Sequence, residues 1–426
     1  MDLDTAAWLA STHGRAALAT ATTHDDRAHD RAAAGDATAI DPLRAATALR
    51  KADPSLDPTQ AAAVLTQVRL RRRARPRLGD IVEHLLLTED GAEQATRTEV
   101  AKLRARRFVE SGATRVADLG CGLGLDSIAF AQAGLSVSAV ERDHVTAALA
   151  RANADALGLS HLLDVTTGDV VADLELLNAT LARTDAAFVD PARRDPKART
   201  DGRSVRMTDP RSWSPPWSWV EELAIKVPQL AAKVAPGVPH ELTPPGGCAT
   251  WSSVDGTLVE AEIGWAAMNP GHIRRRAVVI RGTDTHIVES AHDLVDEVAP
   301  PTASVGSWLL EPDDAIIRSG LVGDLVASVA GWLLDARVAY VSTDVEPQTP
   351  LAAIFRVREA LPFTIRALRD TLVADGIGHV VVKKRAISAD PDNVRKELAL
   401  KPSRTSAVVI LTRIGDDPWA FVCDPS

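Results

Sequence analysis

The sequence predicts an α/β protein whose central part is a parallel sheet with helices on both faces. Short apolar runs alternate with amphipathic segments between residues 115 and 190, and this alternation is typical of strands joined by crossover helices. The residues before this part carry helical patterns, whereas those from 306 onward mix helix and strand patterns. We therefore expect a helical region, a parallel-sheet domain and an α+β domain, in that order.

Helices in the N-terminal region are predicted from apolar periodicity and from residues that start or stop helices. One helix covers 42–52, and a second covers 59–74 and ends at Pro76, which has no N–H to donate. A third precedes the first strand. Thr96 is predicted to cap its start and Gly112 to end it.

Four apolar runs are predicted as successive strands, and each ends in glycine or an acidic residue. They cover 115–120, 135–141, 162–169 and 186–190. Because the carboxyl ends of parallel strands meet at one edge of a sheet, these acidic residues are expected to lie together. The predicted organisation is a helical region at 1–94, the sheet domain at 95–282, a linker with two prolines at 283–305, and an α+β domain at 306–426.

The composition is that of a globular protein. Hydrophobic residues make up 46% of the chain, and the formal net charge is −9. No apolar stretch of about 18 residues occurs, so no membrane span is expected. Cys121, Cys248 and Cys423 are too far apart for a disulfide framework or a metal motif. We expect a cytoplasmic protein without a metal, and the sequence does not define an oligomeric state.

A glycine-rich loop follows the first strand, in the segment Asp118-Leu-Gly120-Cys-Gly122-Leu-Gly124. Glycines let the backbone approach a ligand that a Cβ would block, and amides at the start of the next helix can hold a carboxylate. Asp118 can hold an ammonium group and would repel a pyrophosphate. The G-x-G-x-G spacing also differs from the dinucleotide motif G-x-G-x-x-G. The loop therefore predicts a ligand with an amino-acid tail.

The next three strand ends carry further acidic residues. Glu141 follows Gly120 by 21 residues, which is where a βαβ unit places a carboxylate on ribose hydroxyls. Asp169 ends the third strand and can accept a hydrogen bond from an adenine amino group. Asp190 and Pro191 end the fourth. Together these residues predict a nucleoside with an amino-acid tail as ligand.

The segments VADLGCGLG, AVE, TTGD and FVDPARR together resemble class I S-adenosylmethionine methyltransferases over about residues 95–282. The resemblance implies a Rossmann-like sheet and S-adenosyl-L-methionine as cofactor. It assigns Asp118 and the three loop glycines to the methionine moiety, Glu141 to the ribose and Asp169 to the adenine. More narrowly, DPARR, EPDDAI and VVKKR resemble bacterial methyltransferases with a C-terminal THUMP-like domain. Since THUMP domains are RNA-binding modules of tRNA-modifying enzymes, this resemblance implies an RNA partner, tRNA or rRNA.

The segment DPARR, residues 190–194, stands where amino-methylating enzymes of this superfamily carry a [DN]-P-P-[YFW] motif. By this resemblance, Asp190 and the carbonyl of Pro191 accept hydrogen bonds from an exocyclic amino group. An alanine replaces the second proline, and Arg193 replaces the aromatic residue that stacks on the base. Arg193 and Arg194 are candidates for phosphate binding or for ordinary salt bridges.

Trp213 and Trp217 are candidates for stacking over the acceptor pocket, because the aromatic residue of the motif is missing. The alternative is that they pack a small local core.

DPAR also resembles RNA pyrimidine C5-methyltransferases, whose chemistry needs a nucleophilic cysteine. Cys248 is the candidate, but its flanking residues do not match. Direct transfer to nitrogen is therefore preferred.

Three functional hypotheses follow. The first is an enzyme that methylates a base nitrogen of RNA. In it, the C-terminal domain docks RNA through Lys383, Lys384 and Arg385, and the arginine-rich run 69–77 supplies a second basic cluster. The second is a small-molecule methyltransferase whose C-terminal domain is a lid or a dimer surface, which suits the acidic net charge. The third is a non-catalytic RNA-binding adaptor, and the intact set of acidic strand ends counts against it.

Overall fold

The computed structural model describes residues 1–34, 36, 40–192, 194–200, 203–206 and 209–425, with 194–200 and 203–206 described by their backbone alone. The chain divides into two units. The first contains Met1–Lys233 and Gly264–Pro270, and the second contains Val234–Ile263 and Gly271–Ser426. This division falls earlier in the chain than the expected domain boundary at residue 282.

The first unit combines an N-terminal set of helices with alternating helices and strands. Its helices are α1 (Leu3–Ala10), α2 (Thr12–Ala33), α3 (Pro42–Ala52), α4 (Pro58–Leu78), α5 (Glu89–Gln94), α6 (Thr98–Glu110), α7 (Leu125–Gln132), α8 (His144–Ala156), α9 (Leu174–Leu181) and α10 (Trp217–Lys226). Its strands are β1 (Arg115–Leu119), β2 (Ser136–Glu141), β3 (Leu163–Thr167), β4 (Ala186–Val189), β5 (Arg194–Thr200), β6 (Arg203–Arg206) and β7 (Leu230–Val234).

The sheet of the first unit has the strand order β7–β4–β1–β2–β3, and these strands pair in parallel. Apolar residues of the strands and helices form one core, in which Phe108, Phe130 and Phe188 pack edge to face. The order reverses between β1 and β4, which is where open sheets of this kind bind ligands. The predicted parallel sheet is confirmed, and the ends of β1 to β4 share one edge.

Two residues at the predicted helix ends behave differently from the prediction. α4 continues through Pro76 and ends at Leu78, and its C-cap residue is Gly79, which has a φ of 63°. Since Pro76 lies in the last turn, the helix loses little of its hydrogen-bond ladder there, and burial of Leu78 stabilises the turn. Thr96 does not cap α6, which begins without a side-chain cap. The Thr96 hydroxyl instead donates to Asp126 at 2.8 Å.

The second unit is rich in strands. Its strands are β8 (Cys248–Val254), β9 (Thr257–Gly264), β10 (Arg275–Arg281), β11 (Asp284–Ser290), β12 (Trp308–Pro312), β13 (Trp332–Asp335), β14 (Val338–Thr343), β15 (Ala352–Pro362), β16 (Ile377–Lys384), β17 (Thr405–Ile414) and β18 (Asp417–Cys423). Its helices are α11 (Asp314–Arg318), α12 (Val322–Ser328), α13 (Ile365–Ala374) and α14 (Pro391–Leu398). In the described part of the chain, no helix has both the length and the apolar character needed to cross a membrane.

The C-terminal part of the second unit has its own sheet, in the order β13–β14–β12–β15–β18–β17–β16. α13 and α14 cover it through Leu368, Leu372, Val394 and Leu398, so the predicted α+β character is confirmed. β11 lies inside the expected linker at 283–305. It pairs with β10 in antiparallel register, and its exposed and partly buried residues alternate as in an edge strand.

Candidate active site

The loop after β1 is shaped by glycines in left-handed backbone conformations. Gly120, Gly122 and Gly124 have φ values of 92°, 57° and 80°. A Cβ added to Gly120 or Gly122 would meet no protein atom within 4 Å, so that side of the loop faces open space. The amides of Gly120 and Cys121 donate to the carbonyl of Val140 at 2.8 and 3.0 Å. The loop is therefore a backbone surface that is tied to β2 and that a ligand can approach closely.

Carboxylates at the ends of β2 and β3 are oriented by backbone amides. Glu141 accepts from the Gly122 amide with one oxygen and from the Asp143 amide with the other, both at 2.9 Å. Asp169 accepts from two amides of the following turn, at 2.9 and 3.3 Å. Glu141 and Asp169 are both partly exposed. Each carboxylate therefore has a set direction and still reaches the ligand side of the sheet edge.

Asp118 carries a buried carboxyl group behind the glycine loop. It is 1% exposed and accepts a hydrogen bond from the Ser127 hydroxyl. Burial, together with the negative charges of Asp126 and Asp190, raises the pKa of Asp118 to about 8 and outweighs the opposite effects of Ser127 and Arg104. A cationic group bound beside Asp118 would favour the ionised form of its carboxyl group. The open side of the loop and this carboxyl group together fit an amino-acid ligand that carries an ammonium group.

The segment DPARR, residues 190–194, follows β4 directly and is called the acceptor motif below. Pro191 is buried, whereas the side chain of Asp190 is 31% exposed. Asp190 Oδ2 lies 2.8 Å from Nζ of Lys233, whose side chain is only 7% exposed and lies on β7. The Asp190 carboxylate is therefore held by a buried ammonium group and is still partly exposed.

A chain of buried polar groups continues from Lys233. Its Nζ lies 3.0 Å from the hydroxyl of Thr96, which donates to Asp126 at 2.8 Å. Asp126 forms an ion pair with the fully buried Arg104. The Arg104 guanidinium lies 4.5 Å from the centre of the Phe188 ring on β4. The network thus joins the residues around the Asp190 carboxylate to the first turn of α7, which follows the glycine loop.

Sequence reasoning missed Lys233, Asp126 and Arg104, and it assigned Thr96 to a helix cap. Lys233 had a recognisable signature, because it is a charged residue within the apolar run LAAKV. Lysine is almost never fully buried without a partner. Arg104 and Asp126 have no such signature, since charged residues are common on helices.

The predicted tryptophans pack in a local core. Trp213 and Trp217 are each 4% exposed, and their ring centres lie 6.1 Å apart. The ring centre of Trp217 lies 5.7 Å from that of Trp265. Ser214, beside Trp213, forms a two-way backbone bridge with Ala192 of the acceptor motif. The rings are covered in this structure, so local packing accounts for them without a stacked base.

The structure describes the side chain of neither arginine of the acceptor motif. Arg193 lies outside the described residues, and Arg194 begins β5 with its backbone alone described. Their assignment to phosphate contacts therefore stays a prediction.

In the second unit, two of the three predicted RNA-contacting cations have acidic partners. Lys383 forms an ion pair with Glu311 at 2.5 Å. Arg385 lies 3.7 Å from Glu311 and 3.8 Å from Asp314. Lys384 is the next residue of β16, so its side chain lies on the opposite face of the strand, and it is exposed. Phosphate contacts by Lys383 or Arg385 would have to compete with these carboxylates.

The arginine-rich run 69–77 is also engaged within the protein, by carboxylates and backbone carbonyls of the first unit. Arg69 and Arg73 contact Glu89, Arg72 contacts Asp25 and Asp26, Arg75 contacts Glu83, Arg71 donates to the carbonyl of Leu85, and Arg77 donates to those of Ala92 and Glu93. The run therefore acts as a set of links between N-terminal helices.

Comparison with known proteins gives two family matches. Residues 113–199 match the RNA cap guanine-N2 methyltransferase family, and residues 352–425 match the THUMP domain-like family. The first match covers the glycine loop and the ends of β1 to β4. The second covers β15 to β18.

Two relatives come from Mycobacterium tuberculosis, one from strain CDC 1551 / Oshkosh and one from strain ATCC 25618 / H37Rv. Each is described as an uncharacterized S-adenosylmethionine-dependent methyltransferase. Each is 32% identical over 375 residues, which span 84% of this chain and 95% of the relative. A crystal structure of a candidate methyltransferase from Porphyromonas gingivalis W83 shows the same fold. Its TM-score is 0.67 at 20% identity, over 87% of this chain and 92% of that one.

The parallel sheet, the glycine loop and the acidic strand ends define a methyltransferase of the Rossmann-like class, here followed by a THUMP-like region. The chain belongs to the S-adenosylmethionine-dependent methyltransferases, together with the mycobacterial relatives. The enzyme class and the cofactor expected from the sequence are thereby confirmed.

Proposed function

We propose that this enzyme transfers a methyl group to an exocyclic amino nitrogen of a base in RNA, either tRNA or rRNA. The observation that carries the proposal is the position of Asp190 and Pro191 directly after β4, at the edge that carries the glycine loop. The match of residues 113–199 supports it, because N2 of guanine, named in that family, is an exocyclic amino group. The THUMP-like match supports an RNA partner.

The residues that would hold S-adenosyl-L-methionine lie at the ends of β1, β2 and β3 and in the loop after β1. Asp118, once it has lost its proton, would offer negative charge to the ammonium group, and the open side of the glycine loop would receive the methionine portion. Glu141 and Asp169 present oriented carboxylates to ribose hydroxyls and to the adenine amino group. When bound, the cofactor supplies a methyl group on a sulfonium, which is electrophilic without further activation.

The protein's part in such a transfer is to orient a weak nucleophile. Hydrogen bonds from the amino N–H groups to the Asp190 carboxylate and the Pro191 carbonyl would direct the nitrogen lone pair toward the methyl group. Positioning of this kind contributes up to roughly 7–11 kcal/mol. As the N–C bond formed, the bond between the methyl carbon and the sulfonium sulfur would break with its electron pair left on sulfur, and the nitrogen would lose one proton. The partly exposed Asp190 carboxylate can pass that proton to solvent.

Residues around the acceptor motif receive supporting roles in this proposal. We assign phosphate contacts to Arg193 and Arg194, which follow Asp190 and Pro191 in the chain. The buried Trp213 supports the motif through the backbone bridge of its neighbour, in place of the stacking role expected from the sequence.

A second candidate function is methylation of a small molecule. The observation that favours it is the engagement of basic side chains by protein carboxylates, both in the run 69–77 and at Lys383 and Arg385. Such pairing leaves less uncompensated positive charge that could attract a polyanion such as RNA. The net charge of −9 points the same way.

The test is methylation with isotope-labelled cofactor on RNA, protein and metabolite fractions from a strain that lacks the gene. We expect label in RNA, at an amino nitrogen of a base. Asp190→Ala should lower turnover by at least about 100-fold while cofactor affinity changes less than about tenfold, equivalent to 1.4 kcal/mol. Asp164→Ala, at an exposed position on β3, is the matched control and should retain activity. Label in metabolites alone would replace the RNA proposal with the small-molecule one.

A further inference from the structure

Lys233 is a charged residue in an otherwise apolar strand. All five residues of β7, LAAKV, are buried. β7 pairs in parallel with β4, and the last pair in register is Val189 with Ala232. Asp190, directly after β4, and Lys233, on β7, are the residues that follow this pair in the two segments. The strand pairing therefore brings the ammonium group beside the acceptor carboxylate, with 2.8 Å between Nζ and Oδ2.

Packing alone gives no reason for a lysine at this position. Taking an ammonium group out of water costs several kcal/mol, and a buried ion pair often stabilises a protein no more than apolar residues of the same volume. A methionine would fill a similar space without that cost. The positive charge of Lys233 is therefore best explained by what it does to Asp190, whose carboxylate is the partly exposed member of the pair.

The hydrogen-bond directions around Lys233 follow from the chemistry of its neighbours. An ammonium group only donates, so the hydroxyl of Thr96, 3.0 Å away, accepts from it. Thr96 then gives its own hydrogen to Asp126. Asp126 lies in the first turn of α7, directly after the glycine loop, and is held by Arg104. The acceptor carboxylate is thus connected to the helix that starts at the cofactor loop.

We propose that Lys233 is a positioning residue that holds the Asp190 carboxylate in one orientation for the acceptor amino group. Thr96 connects this arrangement to α7. The inference rests on the proposed role of Asp190 in accepting the substrate amino group. It adds a residue from β7 and one from the segment before α6 to the acceptor site.

The first test compares Lys233→Met and Lys233→Arg with Lys226→Met, an exposed lysine on α10. In Lys233→Met we expect kcat for RNA methylation to fall about 100-fold, while KM for RNA stays within about threefold. Lys233→Arg should restore most of kcat, because it keeps a positive charge beside Asp190. An unchanged kcat in Lys233→Met would overturn the proposal.

The second test needs no RNA. The Tm of the full chain is measured for Lys233→Met, Asp190→Asn and the double variant. Lys233→Met should lower Tm, because it leaves the Asp190 carboxylate without its cation. Asp190→Asn in the same chain should recover part of that loss. Losses that simply add in the double variant would contradict the pairing.

The two tests separate the inference from the proposed function. If the wild type methylates no RNA but the Tm pattern appears, the RNA proposal fails and the pairing of Lys233 with Asp190 stands. If Lys233→Met does not fold, Thr96→Val takes its place, since it keeps the shape of the side chain and removes the hydroxyl. We expect Thr96→Val to lower kcat about tenfold at unchanged KM. An unchanged kcat in that variant would contradict the connection through Thr96.

Discussion

Cofactor affinity is expected to rise with pH, because Asp118 must lose a proton before it can hold an ammonium group as a carboxylate. Burial and the charges of Asp126 and Asp190 raise the pKa of Asp118 from 3.8 to about 8. Without ligand, this group is therefore protonated at neutral pH. One pKa unit corresponds to 1.36 kcal/mol, so ionising it costs roughly 3 kcal/mol at pH 6 and roughly 1 kcal/mol at pH 7.

Isothermal titration calorimetry with S-adenosyl-L-methionine measures this cost directly. Between pH 5.5 and 7 the ligand's own amino group stays charged, since α-amino groups titrate at about 7.7–8.0. In this interval the dissociation constant should fall about tenfold for each pH unit. Binding should release about one proton, which appears as a dependence of the heat on the ionisation enthalpy of the buffer.

The variant Asp118→Asn tests whether Asp118 is the group that releases the proton when the cofactor binds. An amide has no proton to lose in this range, so the variant should bind weakly and with an affinity that does not change with pH. Asp164→Asn, at a side chain that is 68% exposed, is the matched control and should behave like the wild type. A wild-type affinity that is constant from pH 5.5 to 7 would refute the reasoning. A slope that persists in Asp118→Asn would show that another group releases the proton.

Two further predictions concern the glycine loop and the second unit. Gly122→Val should abolish cofactor binding in calorimetry, because its side chain would enter the open side of the loop, whereas Gly134→Val, with a similarly positive φ and equal space, should still bind. If RNA is the partner, Lys384→Ala should reduce the slope of log affinity against log salt by about 0.9 for one lost phosphate contact, and Lys383→Ala by less, because Lys383 is paired with Glu311. Binding by Gly122→Val, or an equal effect of both lysines, would contradict these expectations.

The parallel sheet and its acidic edge were predictable because each strand and helix carries a local pattern. β1 to β4 lie within a few residues of their predicted limits. Crossover connections between parallel strands are short and of one hand, so residues that follow successive strands come to the same edge. This reasoning placed Asp118, Glu141, Asp169 and Asp190 near one another without knowledge of any side-chain contact.

Contacts between residues far apart in the chain could not be predicted in this way. Thr96 matched the pattern of a helix cap, yet its hydroxyl bonds to Asp126 and to Lys233, which is 137 residues away. Nothing near Thr96 in the sequence distinguishes a cap from a buried network. The prediction that the helix ends at Pro76 is wrong, because the local rule for proline does not include the burial of Leu78 beyond it.

The pairing of the basic residues changes where RNA affinity can come from. A phosphate that contacts Arg72 or Arg75 must displace a carboxylate that already holds the guanidinium. Exchanging one anion for another gains little Coulomb energy, and it exposes a carboxylate next to the phosphate. Counterions condensed on a nucleic acid are released when a protein cation neutralises a phosphate, and a cation that is shared with a carboxylate neutralises it less completely. If RNA is the partner, its binding should therefore be less dependent on salt than the arginine content of the chain suggests, and specificity should rest on the sheet edge around Asp190.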